Sequence, residues 1–225
     1  VHLSDFDKDG RIDILLGNSG NNGYLQDERY LPLTLYINDF DNNGMPEKLM
    51  SRQVEGKDMP ISTKRDMVEQ LSILKKKNLK HKEYADKSIQ ELFGDQLKKA
   101  THKTITTTKS YIAYNKGSKG FLLKELCEQA QWSSINDVLM EDINEDNYID
   151  LIIVGNLNGF QPQFGALDAN KGLVLLNNKK GDFIPAASTN TGLNIKGKSR
   201  QIIKTNGLYI VARNDDFPYI FERLK

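Results

Sequence analysis

Asp5-Phe6-Asp7-Lys8-Asp9-Gly10-Arg11-Ile12-Asp13 sets carboxylates at the first, third, fifth and ninth places of one short run, with a glycine at the sixth. Two further stretches keep oxygen donors at the same offsets: Asp39-Phe40-Asp41-Asn42-Asn43-Gly44-Met45-Pro46-Glu47 and Asp142-Ile143-Asn144-Glu145-Asp146-Asn147-Tyr148-Ile149-Asp150. Carboxylates crowded in this way repel one another and need either protons or a cation. A hard dication suits them, because calcium takes six to eight oxygens at about 2.3–2.6 Å and a tightly curled loop can supply them. Each loop would offer side-chain oxygens from places one, three, five and nine and a backbone carbonyl from place seven. The expected donors are Asp5, Asp7, Asp9, the Arg11 carbonyl and Asp13 in the first loop. In the second they are Asp39, Asp41, Asn43, the Met45 carbonyl and Glu47, and in the third Asp142, Asn144, Asp146, the Tyr148 carbonyl and Asp150. About three calcium ions, one per loop, are the expected cofactors.

The sixth place has to reverse the chain, and glycine enters the left-handed region without a steric cost, with asparagine the best substitute; Gly10, Gly44 and Asn147 stand there. An EF-hand opens similarly but closes on a bidentate glutamate at place twelve between two helices. Place twelve here is Leu16, Met50 and Ile153. The ninth-place acid leads instead into Ile12-Asp13-Ile14-Leu15-Leu16 and Ile149-Asp150-Leu151-Ile152-Ile153-Val154, apolar runs of strand length. The loops therefore turn between strands.

With 225 residues, 38% hydrophobic and 8% aromatic, the chain can bury a full core. A formal net charge of +1 gives no sign of a nucleic-acid or membrane-surface partner. Cys127 is the single cysteine, which excludes an internal disulfide, and His2, His81 and His102 lie too far apart in sequence to suggest zinc. No apolar run reaches the roughly 20 residues of a membrane span, and no signal peptide is present. Val1 stands almost directly on a cation loop, as expected of a fragment whose leader and upstream repeats lie elsewhere.

In chain order, strands are expected at residues 31–38, 47–54, 110–114, 121–126, 135–141, 173–176, 182–185, 201–204, 208–213 and 219–224, in addition to those flanking the first and third loops. The β pattern breaks at residues 57–98, read as a helical insertion within a single β region spanning residues 1–225. There Ser62 or Thr63 can cap a helix carrying Met67, Leu71 and Leu74, and Ser88-Ile89-Gln90-Glu91 has capping-box spacing ahead of Leu92 and Phe93. Its basic cluster of Lys75, Lys76, Lys77, Lys80, His81 and Lys82 reads as a solvated helix end, with binding of an anionic polymer as the alternative. Residues 135–185 hold four strands in about 50 residues, the size of a propeller blade, whereas the last unit holds three.

On these motifs the chain resembles FG-GAP or VCBS repeat proteins and, in its loops, the propellers of integrin α-subunits. The loop Asp5-Phe6-Asp7-Lys8-Asp9-Gly10-Arg11-Ile12-Asp13-Ile14-Leu15, its two copies, and the strand endings Leu16-Gly17-Asn18 and Val154-Gly155-Asn156 carry the likeness. The order of Arg65-Asp66-Met67, Tyr84-Ala85, Ala130-Gln131 and residues 172–183 is similar to the C-terminal part of secreted Bacteroidetes proteins of the ASPIC/UnbV-associated type. The resemblance implies a mainly β fold of β-propeller blades, a partial propeller with a helical insertion, with calcium between the first and second strands of a blade. It also implies export to an extracellular, periplasmic or cell-surface setting.

A catalytic metal would need an open position beside acid/base partners, and no such set is visible. Ser133-Ser134 lacks the Gly-x-Ser-x-Gly context of a hydrolase nucleophile, and Cys127 follows an apolar strand as a packed side chain would. The ligand-binding candidates are Phe160, Gln161, Phe164 and Asp168, with Gln163, on a connection too long for a simple turn. The expected function is a non-enzymatic, calcium-binding module that presents loops to an extracellular protein or glycan and docks on upstream repeats of the same protein. The alternative is the propeller part of a polysaccharide-acting enzyme using acids such as Asp137, Glu141 or Asp168.

Overall fold

The computed structural model describes residues 1–25, 28–72, 74, 80–160 and 164–223. The chain is mainly β, and its described residues form four antiparallel sheets, none closed into a barrel. It divides into two compact units, one made of Val1–Gln26 with Thr108–Lys225, the other of Asp27–Thr107.

In the first unit β1 (His2–Ser4) and β2 (Asp13–Leu16) share a sheet with β7 (Tyr111–Asn115) and β8 (Phe121–Glu125), in the order β1-β2-β7-β8. The neighbours β2 and β7 pair Leu15 with Ile112, although the whole second unit intervenes in sequence. Buried polar groups close that break. The Gln131 amide accepts from the Ser110 N–H at 2.8 Å and donates to the Ser110 carbonyl at 2.9 Å, and the Asn18 N–H donates to the Ser110 hydroxyl at 2.9 Å. β9 (Ile135–Glu141), β10 (Asp150–Gly155), β11 (Leu173–Asn177) and β12 (Phe183–Pro185) make a second sheet, an uninterrupted meander. β13 (Lys198–Thr205), β14 (Leu208–Asn214) and β15 (Tyr219–Glu222) make the third, its first hairpin turning on Asn206 and Gly207, both with positive φ as a primed turn requires.

These three sheets stack face to face. Alternation along β10 shows why: Leu151 and Ile153 pack with Phe6, Leu15, Ile112 and Tyr114, while Ile152 and Val154 pack with Ile202, Tyr209 and Val211. Every residue of β10 is buried, so its continuous apolar run reflects burial on both faces. At about 25 cal/mol per Å² of apolar surface, such side chains contribute roughly 1.5–3 kcal/mol each. The neighbouring strand leaves no room at Gly155, where an added Cβ would overlap the Ser134 carbonyl oxygen, and the next sheet leaves little at Gly17, where it would meet Ile135.

The second unit orders its strands β5-β4-β3-β6, with β3 at Leu33–Asn38, β4 at Glu47–Val54, β5 at Lys57–Pro60 and β6 at Thr101–Ile105. Helices at Lys64–Gln70, His81–Ala85 and Ile89–Phe93 lie within the stretch expected to be helical. Met67, Leu71 and Leu74 are buried with Ile89, Leu92 and Phe93 around Phe40, whose ring lies 4.9 Å from that of Phe93. Thr63 caps the first helix, and Ser88 with Glu91 forms the expected reciprocal cap, at 2.7 and 3.2 Å. The opening residues of that stretch form β5 instead, because Glu55 and Gly56, both at positive φ, make a hairpin that pairs it with β4. β6 likewise escapes a reading by apolar alternation, all five of its residues being exposed. Of the basic cluster, Lys75, Lys76 and Lys77 lie outside the described residues.

Gly155→Ala is expected to cost about 3 kcal/mol, the range of an overpacked or strained core position. Urea denaturation of the variant against the wild type measures it, and an equal midpoint would show that β9 and β10 are not held at this separation.

Candidate metal centres

The three acidic loops join β1 to β2, β3 to β4 and β9 to β10. They share one pattern of backbone hydrogen bonds. The first-place carboxylate accepts the N–H groups of places five and six: Asp9 and Gly10 donate to Asp5 at 3.1 and 2.9 Å, Asn43 and Gly44 to Asp39 at 3.0 and 2.8 Å, and Asp146 and Asn147 to Asp142 at 3.0 and 2.7 Å. The fifth-place oxygen accepts the N–H of place seven, from Arg11 to Asp9 at 3.0 Å, Met45 to Asn43 at 2.8 Å and Tyr148 to Asp146 at 2.9 Å. The ninth-place carboxylate accepts the N–H of place two, from Phe6 to Asp13 at 2.9 Å, Phe40 to Glu47 at 2.8 Å and Ile143 to Asp150 at 2.9 Å.

Such wiring needs two reversals. Place six is left-handed as expected, at φ 83° for Gly10, 89° for Gly44 and 67° for Asn147. Place four is left-handed too, at Lys8, Asn42 and Glu145, which the residue types did not announce. Place two faces inward: Phe6 and Phe40 are each 1% exposed, and Ile143 packs against the cluster around Tyr209. An apolar plug thus anchors a loop whose charged side chains converge on its other side.

The loops differ in their acid complement. Carboxylate oxygens of Asp5, Asp7 and Asp13 lie within 4.8 Å of one another, as do those of Asp39, Asp41 and Glu47. Oxygens bound to one calcium at about 2.3–2.6 Å stand no farther than about 5 Å apart, so both sets fit one ion. In the first loop Asp7 Oδ1 is buried with no hydrogen-bond partner, an arrangement that is costly unless a cation meets it. Arg11, Met45 and Tyr148 fill place seven, where only the carbonyl would serve; the Met45 side chain is 70% exposed. In the third loop Asn144 donates its amide to Asp146 Oδ2 at 3.1 Å, and Lys179 Nζ sits 3.2 Å from the same oxygen. The Tyr148 N–H above all, then Lys179 and Asn144, hold the Asp146 carboxyl below its usual pKa.

Sequence reasoning missed the residues that meet loops one and three from outside. Asn115, ending β7, donates its N–H to Asp13 Oδ1 at 2.8 Å and its amide to the Ile12 carbonyl at 3.2 Å. Asn177, ending β11, does the same to Asp150 Oδ1 at 2.8 Å and to the Ile149 carbonyl at 3.3 Å. Lysines follow: Lys116 Nζ lies 2.7 Å from Asp7 Oδ2 and 3.7 Å from Asp9 Oδ2, and Arg11 also pairs with Asp9. The hydrogen bond to Asp7 raises the Lys116 pKa. An asparagine closing a strand, with lysine and glycine in the turn that follows, is the signal that could have flagged both turns.

On the long connection after β10, Phe164 stacks on Tyr24 at 4.9 Å, Phe160 is partly buried and Asp168 is exposed; Gln161 and Gln163 lie outside the described residues. Buried Asn156 pins this connection, its amide donating to the Asn170 and Gly197 carbonyls at 2.7 and 2.8 Å. Two of the acids considered for catalysis are tied into sheet packing. Asp137 meets His2 at 3.1 Å and the Ile202 N–H at 2.9 Å, and Glu141 accepts from Tyr209 at 3.0 Å and pairs with Lys204. Ser133 donates to Asn156 or the Leu167 carbonyl, and burial pushes the Cys127 thiol pKa up.

No family model matches the chain, and neither the curated proteins nor the solved structures include a match to it.

Asp13 is fully buried and turns one oxygen to the Phe6 N–H of its own loop and the other to the Asn115 N–H at the end of β7, so Asp13→Asn sets an amide NH₂ against one of them. A loss of about 1–3 kcal/mol is expected in chelator, read by urea denaturation. The depressed pKa of Asp146 stabilises the folded chain fully above its ordinary value of 3.8, and the contribution fades as pH falls through the lower folded value. Acid unfolding of Asp146→Asn in chelator is expected to lack that part of the pH dependence.

Proposed function

We propose that the chain is a calcium-stabilised binding module of non-enzymatic character, part of an exported protein built from β-propeller blades of the FG-GAP or VCBS kind. The observation that carries this reading is the common backbone wiring of three loops, with carboxylate oxygens converging in the first two, together with the buried, unpartnered Asp7 Oδ1. The first and second loops have the acid complement for a dication, and the third offers Asp142, Asn144, Asp146 and Asp150 with a lower charge. Calcium would neutralise the crowded carboxylates and lock each turn, a structural role. Magnesium suits such loops less, since it demands a tight octahedron and keeps its waters.

The face-stacked meanders, each of the first two placing its acidic loop between its first and second strands, support the blade reading. The surface offered to an extracellular protein or glycan is the connection after β10, which carries Phe160, Asp168 and the half-buried Phe164 that stacks on Tyr24. The setting is extracellular, periplasmic or cell-surface, as in the proteins the loops resemble.

Calorimetric titration with calcium and thermal melting in calcium against EDTA test the reading. Saturating calcium at about 100 times its dissociation constant is expected to add about 2.7 kcal/mol per site, which raises Tm by roughly 5–10 °C. Asp41→Ala is expected to remove one site. A melting curve that ignores calcium would overturn the proposal.

A further inference from the structure

The loop richest in carboxylates is also the one most heavily countered by the protein's own cations. Lys116, from the turn between β7 and β8, places its ammonium 2.7 Å from Asp7 and 3.7 Å from Asp9 Oδ2, the oxygen with which Arg11 also pairs. Lys179, from the turn between β11 and β12, stands in the same relation to loop three, 3.2 Å from Asp146. Its ammonium also lies 5.5 Å from the Tyr148 ring, which Lys8 of loop one approaches at 4.4 Å. Both lysines follow closely on an asparagine whose amide holds the loop at its eighth place, Asn115 directly before Lys116 and Asn177 two residues before Lys179. Among the described residues, Asp39, Asp41 and Glu47 of loop two meet no ammonium or guanidinium group at all.

We infer that Lys116 and Lys179 are resident counter-cations of loops one and three, which a dication must displace from Asp7, Asp9 and Asp146, so that loop two fills at the lowest calcium concentration. This rests on the calcium reading above. In the metal-free chain the ammonium groups relieve the carboxylate repulsion and keep the loops formed. When calcium enters, a positive charge within a few ångström opposes it, and at an effective dielectric near 20 this repulsion far exceeds thermal energy unless the lysine swings away. Charge count alone would rank loop one tightest; the resident lysine reverses that order. Asp7 Oδ1, buried and without a partner beside the oxygen that holds Lys116, is the donor the ammonium leaves unused.

The test uses the whole chain in an Asp41→Ala background, which silences loop two, with calcium as the only probe. Lys116→Met is expected to tighten the calorimetric dissociation constant of loop one by about tenfold or more and, in EDTA, to lower Tm. Lys116→Arg keeps the charge and is expected to retain the weaker binding. Lys179→Met serves as the second variant, with the same pair of effects at loop three. Unchanged or weaker calcium binding by both Met variants, in chains that still fold, overturns the inference. If neither the wild type nor any variant binds calcium, the chain is not a calcium-stabilised module; a Tm in EDTA that Lys116→Met leaves unchanged then overturns the counter-cation role as well.

Discussion

The ninth-place carboxylate of each acidic loop is the constraint on which the surrounding structure depends. Asp13 and Asp150 are fully buried acids whose two oxygens accept N–H groups from different parts of a sheet, one from the second place of their own loop and one from the residue ending a neighbouring strand. Burying an ionised carboxylate is tolerable only with such partners. Each oxygen of Asp13 accepts one N–H and keeps a lone pair with which to ligate, whereas Asp150 Oδ2 also accepts from the Asn144 N–H at 3.4 Å, so that only its Oδ1 keeps one. One side chain thus sets the loop shape, joins the second strand to the third, and supplies a donor to the candidate centre.

Around this joint the core is arranged by alternation. The phenylalanine at the second place goes inward with the ninth-place acid, so Phe6 belongs to the cluster shared by the first two sheets and Phe40 to the core of the second unit. Beyond Asp150, successive residues of β10 face opposite ways and bind two sheets at once. Gly155 ends that strand where the backbone of Ser134 comes too close for a side chain, and Asn156 then ties the following connection down by hydrogen bonds. The charge pattern is subordinate to this scaffold. Lysines that follow Asn115 and Asn178 reach the loops because the asparagines Asn115 and Asn177 are fixed there first.

Much of this was legible in the chain. Place six of the loops announces its left-handed backbone through glycine and asparagine, and periodic apolar residues announce β4, β9 and the buried faces of the short helices. Three things were not. β5 and β6 carry little apolar alternation and exist through pairing with β4 and β3. The first sheet is divided in sequence, since β2 and β7 are partners across an entire second unit, a separation that local pattern cannot bridge. The counter-cations belong to turns distant in sequence from the acids they meet, and a lysine in a turn looks the same whether it faces solvent or a carboxylate.

The sequence by itself determined the local conformations: the curled loops, the strands leading from them and the capped helices, because each follows from side chains hydrogen-bonding or packing within about ten residues of themselves. Tertiary structure alone decided which strands share a sheet, which face of β10 meets which neighbour, and which acidic loop, among the described residues, meets none of the protein's own cations. Those outcomes depend on groups brought together by the packing of whole sheets, and the electrostatic environment of a carboxylate is set by its neighbours in space, whatever their distance along the chain.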